Sequence, residues 1–242
     1  MMISPSNRVV TGIGSADRTA AVSVREVSWT PSRLFRVPLL IVAAIAGLGA
    51  AGLTALVVAH PFMEWDAGIE RAVQAFNWGP LAATFPIFSW IGDIKGAGID
   101  AALLVLILLF NRPAWRLAVA GAATGVPYTV IAHIVLRPRP NVGQVLQVLE
   151  HPGASSFPSG HTIFIVTICT LLVLCLGYRF LPRRAMPIVW TIAALIVFAG
   201  AVSRIYVGAH WPTDVFAGFL IAVAWLALVV SIRPISDRVF VR

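Results

Sequence analysis

Six apolar runs, separated by short polar connections, constrain this sequence more than any other feature. A helix needs about 20 mostly apolar residues to cross the hydrocarbon core of a bilayer. The runs cover residues 37–59, 96–110, 115–136, 161–178, 185–202 and 213–232. Charged residues make up only 12% of the chain, about half the share found in an ordinary soluble domain. The sequence therefore predicts an all-α, polytopic membrane protein with six transmembrane helices.

Polar segments flank this helical region at both ends. Residues 1–36 are of mixed polar character and precede the first apolar run, whereas a secretory signal places a short apolar core close behind a short basic segment. We interpret residues 1–36 as a disordered cytoplasmic tail. Residues 37–233 form the six-helix transmembrane domain, and residues 234–242 form a short cytoplasmic C-terminal tail.

The net charge of +8 is explained by membrane topology and does not indicate a nucleic-acid partner. No basic run is interleaved with aromatic residues, as nucleic-acid binding would require. If the N-terminus is cytoplasmic, every inner connection carries arginines, in agreement with the positive-inside rule. Both termini are then cytoplasmic. Five cations remain outside, and topology does not account for them: Arg71, Lys95, Arg137, Arg139 and Arg204.

Three polar clusters lie at the ends of apolar runs, and this topology puts all three on the outer side. The clusters are Arg137-Pro138-Arg139-Pro140, Pro158-Ser159-Gly160-His161, and Ser203-Arg204 with His210 and Asp214. In a compact bundle, the ends of different helices that lie at the same membrane depth come close together. We therefore expect the clusters to form a single extracytoplasmic site.

The arginines and the second cluster have the chemistry of an anion site. Arg137, Arg139 and Arg204 supply fixed charge and planar donors that suit phosphate oxygens. Ser159 is a good helix N-cap. Gly160 lets an anion approach the backbone, where the helix dipole favours negative charge. Each feature alone is also compatible with a purely structural role, and the combination favours phosphate binding.

The histidines add groups for proton transfer and nucleophilic attack. His161 and His210 are both titratable imidazoles. Asp214 lies four residues after His210, where it is expected to accept a hydrogen bond from one ring nitrogen and leave the other to attack. The same three residues would also suit a metal site, but three nearby arginines repel a dication. We therefore expect neither a metal nor a cofactor.

The spacing of these clusters resembles the type 2 phosphatidic acid phosphatase family, which is similar in its core to bacterial acid phosphatases and vanadium haloperoxidases. Two family signatures are intact. They are Pro-Ser-Gly-His at residues 158–161, and Ser-Arg-x5-His-x3-Asp from Ser203 to Asp214. The resemblance covers residues 37–232. It implies a bundle like that of the family, with a metal-independent active site.

The resemblance also implies a role for each matched residue. His210 would attack phosphorus and become a phosphohistidine, and Asp214 would orient it. His161 would protonate the leaving oxygen and then activate water. Four residues would hold the phosphoryl oxygens: Arg139, Ser159, Gly160 and Arg204.

The remaining family signature, Lys-x6-Arg-Pro, is broken. Counting back from Arg139-Pro140, the lysine position is Ala132. The next residue, His133, is rotated about 100° from Ala132 around a helix. Three side chains are candidates to replace the missing cation: Arg137, His133 and Lys95.

The resemblance implies hydrolysis of a lipid phosphate or lipid diphosphate at the outer leaflet of the cell membrane. Polyprenyl diphosphates, phosphatidic acid and phosphatidylglycerol phosphate are the candidate substrates. Two alternatives use the same residues: a phosphotransferase with a lipid or sugar acceptor, and a catalytically weakened lipid-binding relative. The predicted partner is a membrane lipid and not a nucleic acid, and the sequence implies no particular oligomeric state.

Two connecting segments are predicted to lie at the membrane surface. Residues 64–76 have the pattern of an amphipathic helix, flanked by Trp65 and Trp78 at headgroup depth. In the loop 141–156, Val142, Leu146 and Leu149 are spaced to form one face of a short interfacial helix.

Overall fold

The computed structural model describes residues 34–91, 96–150 and 153–240, and in these residues the chain is helical with no β-strand. The helices are α1 (Val37–Ala59), α2 (Glu64–Ala75), α3 (Phe85–Ile91), α4 (Gly96–Phe110), α5 (Trp115–Ala122), α6 (Gly125–Ile134), α7 (Gly160–Leu171), α8 (Met186–Tyr206), α9 (Pro212–Ser231) and α10 (Arg233–Phe240). The predicted all-α class is confirmed.

Five helical segments are long and apolar enough to cross a membrane. They are Val37–Ala59, Arg112–Ile134, Gly160–Phe180, Arg183–Tyr206 and Pro212–Ser231. Helix α4 is apolar but has only 15 residues. At 1.5 Å per residue it is about 22 Å long, shorter than a hydrocarbon core of about 30 Å. The chain is thus a multi-pass membrane protein, and six crossings remain a prediction.

The predicted third transmembrane helix is interrupted. Helix α5 ends at Ala122 and α6 begins at Gly125. Pro127 explains the break, because it lacks an amide hydrogen and its ring clashes with the carbonyl four residues earlier, at Ala123. Thr124 fills the gap, since its hydroxyl donates to the Gly121 carbonyl and accepts from the Thr167 hydroxyl.

Helices α7 and α9 form the centre of the bundle. In the spans containing them, 50% and 56% of the residues are buried, against 17% in the span of α1 and 22% in that of α8. Helix α1 packs along α9, and α8 packs against α7. The residues at the N-termini of α7 and α9 carry two of the predicted clusters. The most protected part of the fold therefore holds the candidate site.

Helix α2 occupies the predicted amphipathic segment, and its polar face is the one directed towards the protein. Asp66, Glu70 and Gln74 are buried at a spacing of four residues, while Trp65 and Ile69 on the other side are exposed. The polar face packs against the ends of α8 and α9. The apolar face is therefore the one directed away from the protein.

The predicted interfacial helix in the loop 141–156 is wrong. Among the described residues of this loop the backbone forms turns, with no helix. Its amides bond elsewhere: Leu146 and Gln147 donate to the Gln74 side chain, and Leu149 donates to the Val207 carbonyl. Tertiary hydrogen bonds thus replace the helical ones that the spacing suggested.

The two ends of the described chain meet. The Arg36 amide donates to the Ser231 carbonyl at 2.9 Å, and its guanidinium forms an ion pair with Asp237 at 2.5 Å. Asp237 lies on α10, in the segment interpreted as a C-terminal tail. Most of the predicted N-terminal tail, residues 1–33, lies outside the described residues, as do residues 241–242.

Candidate active site

The structure brings residues of the three predicted clusters to one end of the bundle. His161 lies in the first turn of α7 and His210 lies in the turn between α8 and α9. Their ring centroids are 6.4 Å apart. The charges of Arg139 and Arg204 are close enough to His210 to affect its titration. These four side chains form the core of the candidate site.

His210 is held by the main chain. Its Nδ1 lies 2.7 Å from the Ser156 carbonyl oxygen, and the ring is buried. Because a carbonyl oxygen only accepts, Nδ1 carries the hydrogen and Nε2 keeps its lone pair. Burial holds the pKa of His210 well below its usual range, and the charges of Arg139, His161 and Arg204 lower it further. The ring is therefore neutral, as a nucleophile must be.

Asp214 does not form the hydrogen bond expected of it. Its Oδ2 lies 3.9 Å from His210 Nδ1, beyond hydrogen-bonding distance. That oxygen accepts from the Trp211 amide at 2.9 Å and so caps α9, which begins at Pro212. The other oxygen accepts from Arg137 at 2.5 Å. In this structure the Ser156 carbonyl, and not Asp214, is bonded to His210.

Arg137 does not face the site, which corrects its assignment as a phosphate ligand. Its side chain is fully buried and forms ion pairs with Asp66 at 2.8 Å and Asp214 at 2.5 Å. It also donates to the Thr213 hydroxyl and the Pro61 carbonyl. An arginine carries five donor hydrogens, and four of them are used here. The side chain links α2 to α9 instead of binding an anion.

Arg139 is held beside His210 by backbone carbonyls. Its Nε donates to Gly153 at 2.9 Å, and its two terminal nitrogens donate to Ala209 and Ser155, both at 2.5 Å. Carbonyls orient the guanidinium without neutralising it. The positive charge of this half-buried arginine therefore remains to act on the site.

Arg204 is fully buried and is neutralised by an acid that the sequence did not single out. It donates to Glu150 at 3.0 Å and to the hydroxyls of Ser203 and Ser89. The Glu150 side chain is 29% exposed and comes from the loop after Arg139. A phosphate that binds Arg204 has to compete with this carboxylate.

Ser89 joins two parts of the site. Its hydroxyl accepts from Arg204, and its carbonyl oxygen lies 3.3 Å from His161 Nε2. It lies on the short helix α3. Nothing in the sequence around Ser89 distinguishes it from other polar residues of apolar helices, so the contact could be found only from the fold.

Ser159 is the N-cap of α7, as predicted. Its hydroxyl accepts from the Thr162 amide and from the Thr162 hydroxyl at 3.0 Å. Gly160 has a packing reason to be glycine, because an added Cβ would lie 2.8 Å from Tyr128 Cζ and 3.0 Å from its hydroxyl oxygen. Tyr128 therefore lies against the Pro-Ser-Gly-His motif, a position that sequence reasoning missed.

His133, another candidate for the missing cation, does not enter the site. His133 is exposed on α6, and its Nδ1 lies 2.7 Å from the Thr129 carbonyl oxygen. Ala132 is half-buried. Lys95 lies outside the described residues.

The polar face of α2 holds the segments around the site in place. Asp66 accepts from the Thr213 amide at 3.0 Å and so caps α9 from another helix. The Gln74 side chain accepts from the Leu146 and Gln147 amides and donates to the Gln147 carbonyl at 2.9 Å. The three polar residues of this stripe are spaced four residues apart in the sequence, but their tertiary partners could be found only from the fold.

Gly208 allows the loop to approach the histidine turn. Its φ is +73°, and an added Cβ would lie 2.9 Å from Val148 Cα. A side chain here would be strained and would also push the loop away. The five-residue interval between Arg204 and His210 thus depends on a glycine at this point.

Comparison with known proteins gives the wider context. A sequence profile of the PAP2 superfamily matches residues 113–238. The chain is 35% identical over 91 residues to the bacitracin transport permease protein BcrC of Bacillus licheniformis, covering 38% of this chain and 40% of that protein. It is 35% identical over 92 residues to an undecaprenyl-diphosphatase of Sulfolobus acidocaldarius, again covering 38% of this chain and 40% of that protein. It is 41% identical over 75 residues to phosphatidylglycerophosphatase B of Escherichia coli, covering 30% of this chain and 27% of that protein.

These alignments span less than half the length of each relative, whereas the structural matches are more extensive. A transmembrane PAP2-type phosphatidylglycerolphosphate phosphatase from Bacillus subtilis superposes with a TM-score of 0.63 at 21% identity, covering 77% of this chain and 92% of that one. LpxE of Aquifex aeolicus superposes with a TM-score of 0.52 at 25% identity, with coverages of 66% and 92%. Because the matching profile covers just over half of the 242 residues and the bundle has the same fold, this chain belongs to the PAP2 superfamily.

Proposed function

We propose that the protein is a lipid phosphate or lipid diphosphate phosphatase that works through a phosphohistidine on the outer face of the membrane. The observation that carries this proposal is the state of His210. The ring is buried and neutral, and its hydrogen is fixed on Nδ1. A histidine in this state presents the lone pair of Nε2 as a nucleophile.

The proposed reaction has two steps. In the first, Nε2 of His210 forms a bond to phosphorus while the bond from phosphorus to the lipid oxygen breaks, and His161 gives its proton to that oxygen. In the second, His161 takes a proton from water, and the resulting hydroxide displaces His210 from phosphorus. Inorganic phosphate leaves and both histidines return to their starting states. The 6.4 Å between the ring centroids suits a phosphoryl group placed between them.

Positive charge supports both steps. Arg139 and Arg204 flank His210, and the N-terminus of α7 contributes its dipole through Ser159 and Gly160. Negative charge on the phosphoryl oxygens is stabilised by such fixed groups. These cations supply the charge that a metal ion provides in other phosphatases, so we propose a metal-independent reaction.

The substrate class follows from the membrane setting. The candidate site lies at the helix ends of a multi-pass membrane protein, and lipid phosphates lie at the ends of membrane-spanning helices. Relatives are named as undecaprenyl-diphosphatase and phosphatidylglycerophosphatase B. We therefore propose polyprenyl diphosphates and glycerolipid phosphates as the substrates to test. The arginine-rich inner connections support an outer-leaflet site with cytoplasmic termini.

Phosphate release from a panel of lipids tests the proposal. Purified protein in detergent would be given a polyprenyl diphosphate, phosphatidic acid and phosphatidylglycerol phosphate. We expect release from at least one, abolished by His210→Ala and reduced at least 100-fold by His161→Ala. Wild-type protein that releases no phosphate from any of them would contradict the proposal. Recovery of labelled phosphate on a lipid or sugar acceptor would instead indicate group transfer.

A further inference from the structure

Tyr128 is a polar group beside the site that neither the sequence motifs nor the proposed mechanism uses. It lies on α6, and its ring packs against Gly160 at the start of α7. An added Cβ on Gly160 would lie 3.0 Å from the Tyr128 hydroxyl oxygen. The hydroxyl is therefore at the N-terminal turn that carries Ser159 and His161, and not merely on the same side of the bundle.

Tyr128 also acts electrostatically on Arg139, the arginine beside His210. Burial lowers the pKa of Arg139, whereas Asp214 and Tyr128 raise it, which places the phenol oxygen in the electrostatic neighbourhood of that guanidinium. The Tyr128 side chain is half-buried. Within residues 34–91, 96–150 and 153–240, the hydroxyl forms no hydrogen bond. A donor in this position is left available for a ligand.

The position of Tyr128 matches the place where the site lacks a cation. Tyr128 and Ala132 are four residues apart and share one face of α6. A long side chain at position 132 would lean back over the preceding turn, towards Tyr128. Two of the other candidates do not fill this corner, because Arg137 is buried in ion pairs and His133 is exposed and bonded to Thr129.

We propose that Tyr128 is a phosphate-binding residue whose hydroxyl donates a hydrogen bond to a non-bridging phosphoryl oxygen, in place of a cation at position 132. This rests on the proposed function for the identity of the anion. The hydroxyl contributes a directed donor without charge. The site therefore binds phosphate with two close arginines and a phenol.

Kinetics of four purified full-length variants test the assignment. We expect Tyr128→Phe, which keeps the ring against Gly160, to lower kcat/KM for phosphate release about 10- to 100-fold, the effect of one hydrogen bond to a charged group. Ala132→Lys in the Tyr128→Phe background should restore most of the loss, while Ala132→Lys alone should have a smaller effect. Non-additivity of this kind indicates that both side chains serve one ligand.

Tyr178→Phe is the matched control. Tyr178 lies at the other end of the segment Gly160–Phe180, where its hydroxyl contacts Trp190 Nε1 at 3.4 Å. We expect its kcat/KM to stay within twofold of the wild type. A Tyr128→Phe variant that is folded and also stays within twofold on every lipid would overturn the assignment.

Binding of orthovanadate separates this proposal from the proposed function. Vanadate mimics phosphate and needs no turnover, so its dissociation constant can be measured even if no lipid is hydrolysed. We expect Tyr128→Phe to weaken vanadate binding about tenfold or more, and Tyr178→Phe to leave it unchanged. Equal affinity in wild type and Tyr128→Phe, or no vanadate binding by the wild type, would overturn the assignment of Tyr128. If the wild type binds vanadate through Tyr128 but hydrolyses no lipid, only the proposed function fails.

Discussion

Arg137 and Arg139 are two residues apart, yet the structure gives them opposite surroundings. Each precedes a proline, which disfavours helix and extends the chain. Side chains two residues apart in an extended segment usually point the same way, so the difference comes from the contacts around them. Arg137 is enclosed by Asp66 and Asp214, whereas Arg139 donates to three backbone carbonyls and stays half-buried beside His210. One arginine stabilises the fold and the other serves the site.

Glutamine at each position is expected to separate these roles. Arg137→Gln leaves two buried carboxylates without their partner, so we expect it to lower the free energy of unfolding by about 3–5 kcal/mol. Its effect on vanadate affinity in the folded fraction should be small. Arg139→Gln should weaken vanadate binding at least tenfold with little loss of stability. Thermal unfolding in detergent and vanadate titration measure the two effects, and the reverse pattern would refute the division.

At the scale of elements, α2 connects the parts of the site. It places three polar side chains inward: Asp66 at the start of α9, Glu70 behind it, and Gln74 against the loop and the end of α8. Such inward polar groups are costly unless they are bonded. Glu70 is the exception, since its Oε2 has no partner among the described residues. Burial, with nearby Asp66 and Asp214, raises the pKa of Glu70 to about 9.

The raised pKa of Glu70 predicts a dependence of stability on pH. The folded protein holds this proton up to about pH 9, whereas the unfolded chain loses it near pH 4.5. Between these values the folded state binds more protons, so the free energy of unfolding falls as pH rises. Glu70→Gln resembles the protonated acid and should remove this loss. We expect it to raise stability at pH 8 by about 2–4 kcal/mol, with a flatter profile in thermal unfolding across pH 5–9.

Glu64→Gln on the same helix is the control for this experiment. Glu64 is exposed and forms an ion pair with Arg71, and exposed pairs contribute about 0–1 kcal/mol. We expect its pH profile to match that of the wild type. A Glu70→Gln variant that is less stable than the wild type at pH 8 would show that the acid is ionised in the folded protein.

At the scale of the whole molecule, the distribution of arginines predicts which end of the bundle faces out. Cysteine accessibility in intact cells tests it, because Cys169 and Cys175 are buried and give little background labelling. We expect a membrane-impermeant maleimide to label Val142→Cys, in the loop beside the site, and not Arg184→Cys at the other end. Both positions are exposed. Labelling of Arg184→Cys alone would invert the topology.

Much of this architecture could be predicted from the sequence because membrane helices obey strong local rules. Apolar length, the proline at the start of α9 and the serine before α7 each specify a local structure without help from the rest of the chain. The fixed intervals around His161 and His210 likewise indicated that these residues act together. Such features depend on neighbours within a few residues.

The other parts of the site depend on contacts between residues far apart in the sequence, and the spacing of motifs does not reveal such contacts. Glu150, Ser89 and Tyr128 reach the site from separate segments, and each is a single polar residue in an otherwise unremarkable context. The partner of Arg137 could not be inferred either, because Asp66 lies on α2, 71 residues away in the sequence. Only tertiary packing shows which side of an amphipathic helix faces the protein.

The bond between His210 and the Ser156 carbonyl has a consequence for mutational robustness. A carboxylate that sets the tautomer of a histidine is lost with one codon change, but a peptide carbonyl is present whichever residue occupies position 156. The tautomer of His210 is therefore encoded in the path of the chain, and only a displaced backbone would remove it. Ser155 secures that path through a hydrogen bond from its hydroxyl to the Val135 carbonyl at 2.6 Å. In a population of variants, the orientation of the nucleophile should persist through changes in side-chain identity at position 156 that leave this stretch of main chain in place.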